Sequence, residues 1–238
     1  MLDFSDRVAV VTGAAGNLGQ AVARRLQELG ARTVLADRDG ARLQEIYPDL
    51  RGSREHLLAE GIDLAVDGAL DGVVAQATEL FGRIDILVNT VGGFRAGTAV
   101  HETAVETWEY LLGINLRTSL TAARAVIPGM VRRRYGKIVL IAARAAAAGA
   151  AGMAAYSASK AAVVRLAESL AAELQGAGIN VNCVVPGTLD TPQNRRDRPD
   201  ADHSRWVKPE AVAEVILFLA SDAARGVSGA TVPVLGLS

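Results

Sequence analysis

The stretch that most restricts the fold runs from Arg7 to Gly30, RVAVVTGAAGNLGQAVARRLQELG. RVAVVTG is a short apolar, β-branched run ended by glycine, which predicts a buried strand. NLGQAVARRLQELG spaces Leu18, Val22, Leu26 and Leu29 at a helical period, with Gly30 as its stop. Between strand and helix stand Gly13, Gly16 and Gly19. The first suits a sharp turn, the second a close approach of backbone to a ligand, the third tight packing of helix on strand. The first turn of that helix, Asn17, Leu18 and Gly19, offers free N–H groups and a partial positive charge to a pyrophosphate.

The alternation continues along the chain. RTVLAD, IDILVN, GKIVLIA, INVNCVVPG and ATVPVLG read as further strands. Helical stretches are expected around Val105 to Arg133 and Ala155 to Gln175, and a late helix opens at Pro209, a favoured first position. Strands apolar on both faces, alternating with helices, predict an α/β fold: a doubly wound parallel sheet covered by helices on both sides. With no linker or repeat, residues 1–238 read as one domain. Thr188 to Lys208 is long, polar, and rich in proline and arginine, and reads as a loop or lid over a substrate.

Several function classes are set aside by what the chain lacks. A net charge of −1 makes no electrostatic case for nucleic acid or for an anionic membrane surface. One cysteine, Cys183, forms no internal disulfide, and with three scattered histidines no metal site is expected. Cys183 reads as a small core residue. The alanine-rich run from Ala145 to Tyr156 is too short to span a bilayer, which takes roughly 20 apolar residues. No secretory signal is recognisable near Met1. A cytoplasmic protein acting on a small molecule is the expectation.

Asp37 ends the second strand 18 residues beyond Gly19. A carboxylate there accepts both hydroxyls of an adenosine ribose and repels a 2′-phosphate, so NAD(H) is the expected cofactor. Arg38 beside it suits a 2′-phosphate and keeps NADP(H) as the alternative. Asp37 as a plain turn residue would select neither. Tyr156 and Lys160 stand four apart on one helix face. An ammonium near a phenol favours the phenolate and predicts a lowered tyrosine pKa, hence a better proton relay. Such a pair also occurs on ordinary helix surfaces. Here it accompanies the nucleotide turn, Asn89-Thr90-Val91-Gly92 at a strand end, and Asn115 in LLGINL.

Together these residues resemble the short-chain dehydrogenase/reductase family over essentially the whole chain, which implies a Rossmann-type fold. In the family pattern, Thr12, Gly13 and Gly19 match the T-G-x-x-x-G-x-G turn, and Asp63 with Leu64 the adenine-contacting step. Asn89 and Gly92 match the N-N-A-G element, and Asn115 the structural and proton-relay asparagine. Tyr156 and Lys160 match the catalytic pair, and Pro186, Gly187 and Thr191 the segment that holds the nicotinamide. Two positions depart. Asn17 replaces the middle glycine, and asparagine tolerates a left-handed backbone better than most residues. Ala143, 13 residues before Tyr156, stands where the family has its catalytic serine. Loss of one such donor typically costs about 10²–10³ in rate.

Dihydropteridine reductases are a branch that manages without this serine, and the chain is similar to them in the glycine turn, in VGGF with Phe94, in Ala143-Arg144 before a small-residue run, and in Thr188 to Trp206. Asp39 to Ala59 and the C-terminal helix read like ordinary family members. Three functions stay open. The first is reduction of a quinonoid dihydropterin or similarly activated heterocycle, with Phe94 stacking on it and Ala145 to Gly152 leaving room. The second is general carbonyl reduction or alcohol oxidation, with Thr90, Ser157 or a water replacing the serine. The third is nucleotide binding without turnover. Phe94 as loop packing, and the small residues as an aid to helix packing, are the plainer alternatives. The helices around 105–133 and 155–175 carry apolar and small residues on more than one face, and the family pairs them, so a homodimer or homotetramer is expected.

Overall fold

The computed structural model describes residues 2–237. β1 (Val8–Thr12) is buried throughout, with Val8 and Val10 in one core and Ala9 and Val11 in the other. That two-sided burial is what its unbroken apolar run requires. α1 (Asn17–Glu28), β2 (Arg32–Asp37), α2 (Gly40–Ile46), β3 (His56–Glu60), α3 (Asp71–Phe81) and β4 (Ile86–Asn89) follow. Next come α4 (Val105–Leu111), α5 (Thr118–Arg133), β5 (Gly136–Ile141), α6 (Ala154–Leu174), β6 (Ile179–Pro186), α7 (Pro192–Asp197), α8 (Pro209–Ala220) and β7 (Thr231–Val234).

The strands form one sheet in the order β3-β2-β1-β4-β5-β6-β7, parallel at every pairing. One apolar core lies under α3, α5 and α6, the other under α1, α2 and α8. The fold is thus the expected doubly wound sheet of Rossmann type. The strand order reverses between β1 and β4, and a crevice at the carboxyl ends of such strands is where this architecture takes ligands.

Three features differ from the sequence expectation. α2, β3 and α3 were not foreseen; β3, HLLAE, is a short sheet edge buried at only one position, so it has no continuous apolar run. The helix expected over 105–133 is broken by a π-helical turn at Leu112–Arg117, which carries Asn115. Residues 188–208 are more than a loop. They contain α7, capped by Thr191 through a hydrogen bond from Asn194 N to its Oγ1 (3.2 Å), and their ends are tied by a bridge between Leu189 and Val207. Among the described residues, no helix is long and apolar enough to cross a membrane.

Candidate active site

The turn after β1 is built by close contact. Gly13 has φ 71°, and a Cβ there would stand 2.8 Å from Thr90 Oγ1. At Gly19 an added Cβ would lie 2.1 Å from the Gly13 carbonyl oxygen, so any side chain forces the turn open. Gly16 caps α1 with no side-chain hydrogen bond, and the first turn holds no acid, so its amides keep their capacity for an anion. Asn17 is exposed at the helix start and is not left-handed: Arg134 is the one described non-glycine residue with positive φ. The tolerance for a left-handed backbone expected of Asn17 is therefore not used, because Gly13 makes the turn. Leu18, in the first turn of α1, is buried against the core.

Asp37 stands at the mouth of this turn. Its Oδ2 accepts from Ala15 N (2.9 Å) and its Oδ1 from Asp39 N (3.0 Å), and each oxygen retains a free lone pair. Arg38 is exposed. The turn carrying Asp63 is joined to β2 by a bond from Ile62 N to Asp37 O (3.0 Å); Asp63 itself accepts from Ala65 N, while Leu64 is packed in the core. An uncapped helix start, a glycine turn without room for side chains and a carboxylate with open lone pairs fit the pyrophosphate and ribose of a dinucleotide.

From this turn a buried line of polar groups runs toward α6. Thr12 Oγ1 donates to Asn89 Oδ1 (2.6 Å), Asn89 Nδ2 to Ser119 Oγ (2.9 Å), and Ser119 Oγ to Asn115 O (2.8 Å). Asn115 Nδ2 donates to Ser159 Oγ (3.0 Å), which donates to Tyr156 O (2.8 Å). Asn115 also clasps Gly93, accepting from its N–H (2.9 Å) and donating to its carbonyl (3.1 Å). Satisfied networks of this kind in a dry interior fix one arrangement. Sequence reading missed Ser119 and Ser159, since a serine in a helical pattern looks like surface. Gly92 shows how tightly the parts meet: a Cβ there would be 3.0 Å from both Asn115 Oδ1 and Lys160 Nζ.

Tyr156 and Lys160 share one face of α6. The Lys160 ammonium is buried and donates to the Ile141 carbonyl (3.0 Å); burial lowers its pKa to about 8. Burial pushes the Tyr156 phenol up to about 12. The lowering of the tyrosine expected from its neighbour is thus not what the site shows. Desolvation disfavours the phenolate more than the ammonium, bonded elsewhere, favours it. Tyr156 is held as a protonated donor. Cys183 is buried, and burial pushes its thiol up to about 11, so it is an un-ionised core residue.

On the outer side of Tyr156 lie two loops. Phe94, largely exposed, meets the Tyr156 ring edge-on with centroids 4.8 Å apart at 85°. The small-residue run touches the Phe94 loop through Gly97 N donating to Gly152 O (2.8 Å), with Gly152 at φ 70°. Ala147 to Ala151 are exposed. Ala143 is partly buried in extended backbone at the end of β5. Neither protein hydroxyl considered as a substitute donor is free to act. Thr90 Oγ1 donates to Thr12 O (2.8 Å) and lies 3.2 Å from Gly13 O, and Ser157 Oγ is sealed from solvent with no partner among the described residues. Pro186 ends β6, and Gly187 N donates to Val234 O (3.0 Å). No three His, Cys, Asp or Glu side chains meet as metal ligands among the described residues.

A doubly wound sheet with this turn at its switch point and a tyrosine–lysine face beside it defines a dinucleotide-dependent oxidoreductase. The model of the short chain dehydrogenases matches residues 7–202, and the chain belongs to that family. It is similar to the (2S)-[(R)-hydroxy(phenyl)methyl]succinyl-CoA dehydrogenase subunit BbsD of Thauera aromatica, 36% identical over 99% of this chain and 97% of that protein. It is 35% identical to the 2-(R)-hydroxypropyl-CoM dehydrogenase of Xanthobacter autotrophicus, over 97% of each. A gluconate 5-dehydrogenase from Burkholderia cenocepacia, solved with NADP and tartrate, superposes with a TM-score of 0.89 at 29% identity, covering 98% of this chain and 95% of that one. The protein is an NAD(P)-dependent oxidoreductase of the short-chain type.

Proposed function

We propose that the protein uses NAD(H) to reduce an activated, electron-poor carbonyl or quinonoid heterocycle, of which quinonoid dihydropterin is one, with Tyr156 donating the proton. The observation that carries this is the supply of hydroxyls: with alanine at 143, Thr90 engaged and Ser157 sealed, Tyr156 carries the one hydroxyl of those considered that is left to donate. An activated acceptor needs less carbonyl polarisation than a simple ketone and is served by one donor. Bound nicotinamide supplies the hydride. Gly13 to Gly19, Asp37, Asp63, Asn89, Gly92, and Pro186, Gly187 and Thr191 are the residues we assign to holding it. Asn115 positions Gly93 and α6, and Lys160 keeps a positive charge beneath the reacting pair. The preference for NAD(H) over NADP(H) rests on the free lone pairs of Asp37.

The relatives favour a second reading, since those named above are dehydrogenases of hydroxy compounds. Alcohol oxidation or ketone reduction would then proceed with a water in place of the serine. Oxidation of NADH and NADPH, followed by absorbance against quinonoid dihydropterin, an o-quinone and simple ketones, separates the readings. Turnover of the first two, without simple ketones and with NADH, supports the proposal. Equal rates on simple ketones favour the second reading. NADH binding without any turnover rejects both. Tyr110, Leu112, Leu120 and Val131, exposed along α4, the π-helical turn and α5, support self-association into a dimer or tetramer, which a sedimentation mass tests.

A further inference from the structure

We propose that Arg144 anchors an anionic group, a carboxylate or a sulfonate, on the substrate that reacts at Tyr156. This rests on Tyr156 being the reacting donor. From Ile141 to Gly152 every residue is isoleucine, alanine or glycine except Arg144. An unpaired arginine is ordinary on a protein surface; one retained in a run stripped of all other polar side chains is not. Arg144 follows Ala143 directly, opens a 3₁₀ turn at Arg144–Ala146 and is exposed. Its guanidinium has no acidic or carbonyl partner among the described residues.

The facing loop has the same character. Val91 to Thr98 contains no acid, and its one charged residue, Arg95, follows the Phe94 that lies against Tyr156. The Arg95 guanidinium carbon sits 3.8 Å over the Tyr110 ring, a partner that steadies a cation without neutralising it. The bond from Gly97 N to Gly152 O joins the Phe94 loop to the end of the small-residue run that contains Arg144. Residues 91–98 and 141–152 thus carry two arginines and no acid between them. A flat reactive head fits against Phe94 and alanine, and a carboxylate or sulfonate tail fits the planar fork of Arg144.

Isatin and its sulfonate are flat activated carbonyl compounds that differ by one anionic group, and calorimetric titration of each into NADH-loaded protein tests the proposal. We expect the sulfonate to bind about tenfold more tightly, Arg144→Gln to bring the ratio of the two affinities to within about twofold, and Arg144→Lys to restore part of it. Arg95→Gln should lower the same ratio less. Equal affinities in the wild type, no measurable binding of the sulfonate, or an unchanged ratio in Arg144→Gln overturns the proposal. Oxidation of NADH by the same pair is read separately. A preserved ratio without turnover supports the arginine anchor while rejecting the assignment of Tyr156 as donor.

Discussion

Two stretches of this chain are almost bare of side chains, and they are bare for opposite reasons. In Gly13 to Gly19 the alanines are buried, and a single added carbon at Gly19 would sit 2.1 Å from a backbone oxygen. In Ala145 to Gly152 most residues are exposed, and a carbon added at Gly149 would meet nothing within 4 Å. Gly152, whose Cβ would come 3.3 Å from Gly97, is small because backbone passes close by. The first stretch is small because it is full, and this shapes the turn we assign to the cofactor. The second is mostly small beside open space, which is the room we propose for a substrate next to Tyr156. Low complexity in a sequence thus has no single structural meaning; what surrounds the missing side chain decides.

The sharpest way to break the comparison is to add one methyl group to each stretch. Gly19→Ala should destabilise the protein by about 3 kcal/mol or more and abolish NADH binding, because a backbone carbonyl cannot turn aside as a side chain can. Denaturant unfolding and NADH fluorescence titration check both effects. Lys160, between the two stretches, shows what the site costs. Its folded pKa of about 8 lies below the model-compound 10.5, so the buried charge weakens the fold fully below pH 8. That burden lifts as pH rises from 8 toward 10.5, where the unfolded chain still holds the proton. Lys160→Met should therefore stabilise the protein without added cofactor at pH 7 by as much as about 3 kcal/mol, with the gain shrinking toward pH 10. A gain that is constant with pH would mean the ammonium is not the cause. At the small end, Gly149→Ala should be neutral or stabilising by up to about 1 kcal/mol. A loss like that at Gly19 would show that the two stretches are alike after all.

How much of this was legible in the sequence follows the same division. Strands buried on both faces announce themselves as unbroken apolar runs, and Asp37 announces its place by closing one of them. β3 does not, because an edge strand buried at a single position lacks that run. The π-helical turn that carries Asn115 was hidden, since one extra residue in a turn barely disturbs helical spacing in LLGINL. Spacing also placed Tyr156 and Lys160 on one face but said nothing of which acceptor the ammonium finds. It finds the Ile141 carbonyl, and burial of the phenol reverses the expected direction of the tyrosine pKa. The likeness to a known family supplied the roles of Asp63, Thr191 and Ala143, none of which local pattern singles out.

The central claim is that Tyr156 works here without a second hydroxyl, so that the alanine at 143 decides what is reduced. The direct measurement is kcat/KM of wild type, Ala143→Ser and Tyr156→Phe on an o-quinone and on a simple ketone, with NADH saturating. Tyr156→Phe should lower turnover of whatever the wild type reduces by about 10²–10⁴. Ala143→Ser should raise ketone reduction by about tenfold or more while the quinone changes by less than about threefold, because it restores a donor that only the ketone needs. A wild type that reduces simple ketones as fast as quinones, with Ala143→Ser changing neither, would contradict the account.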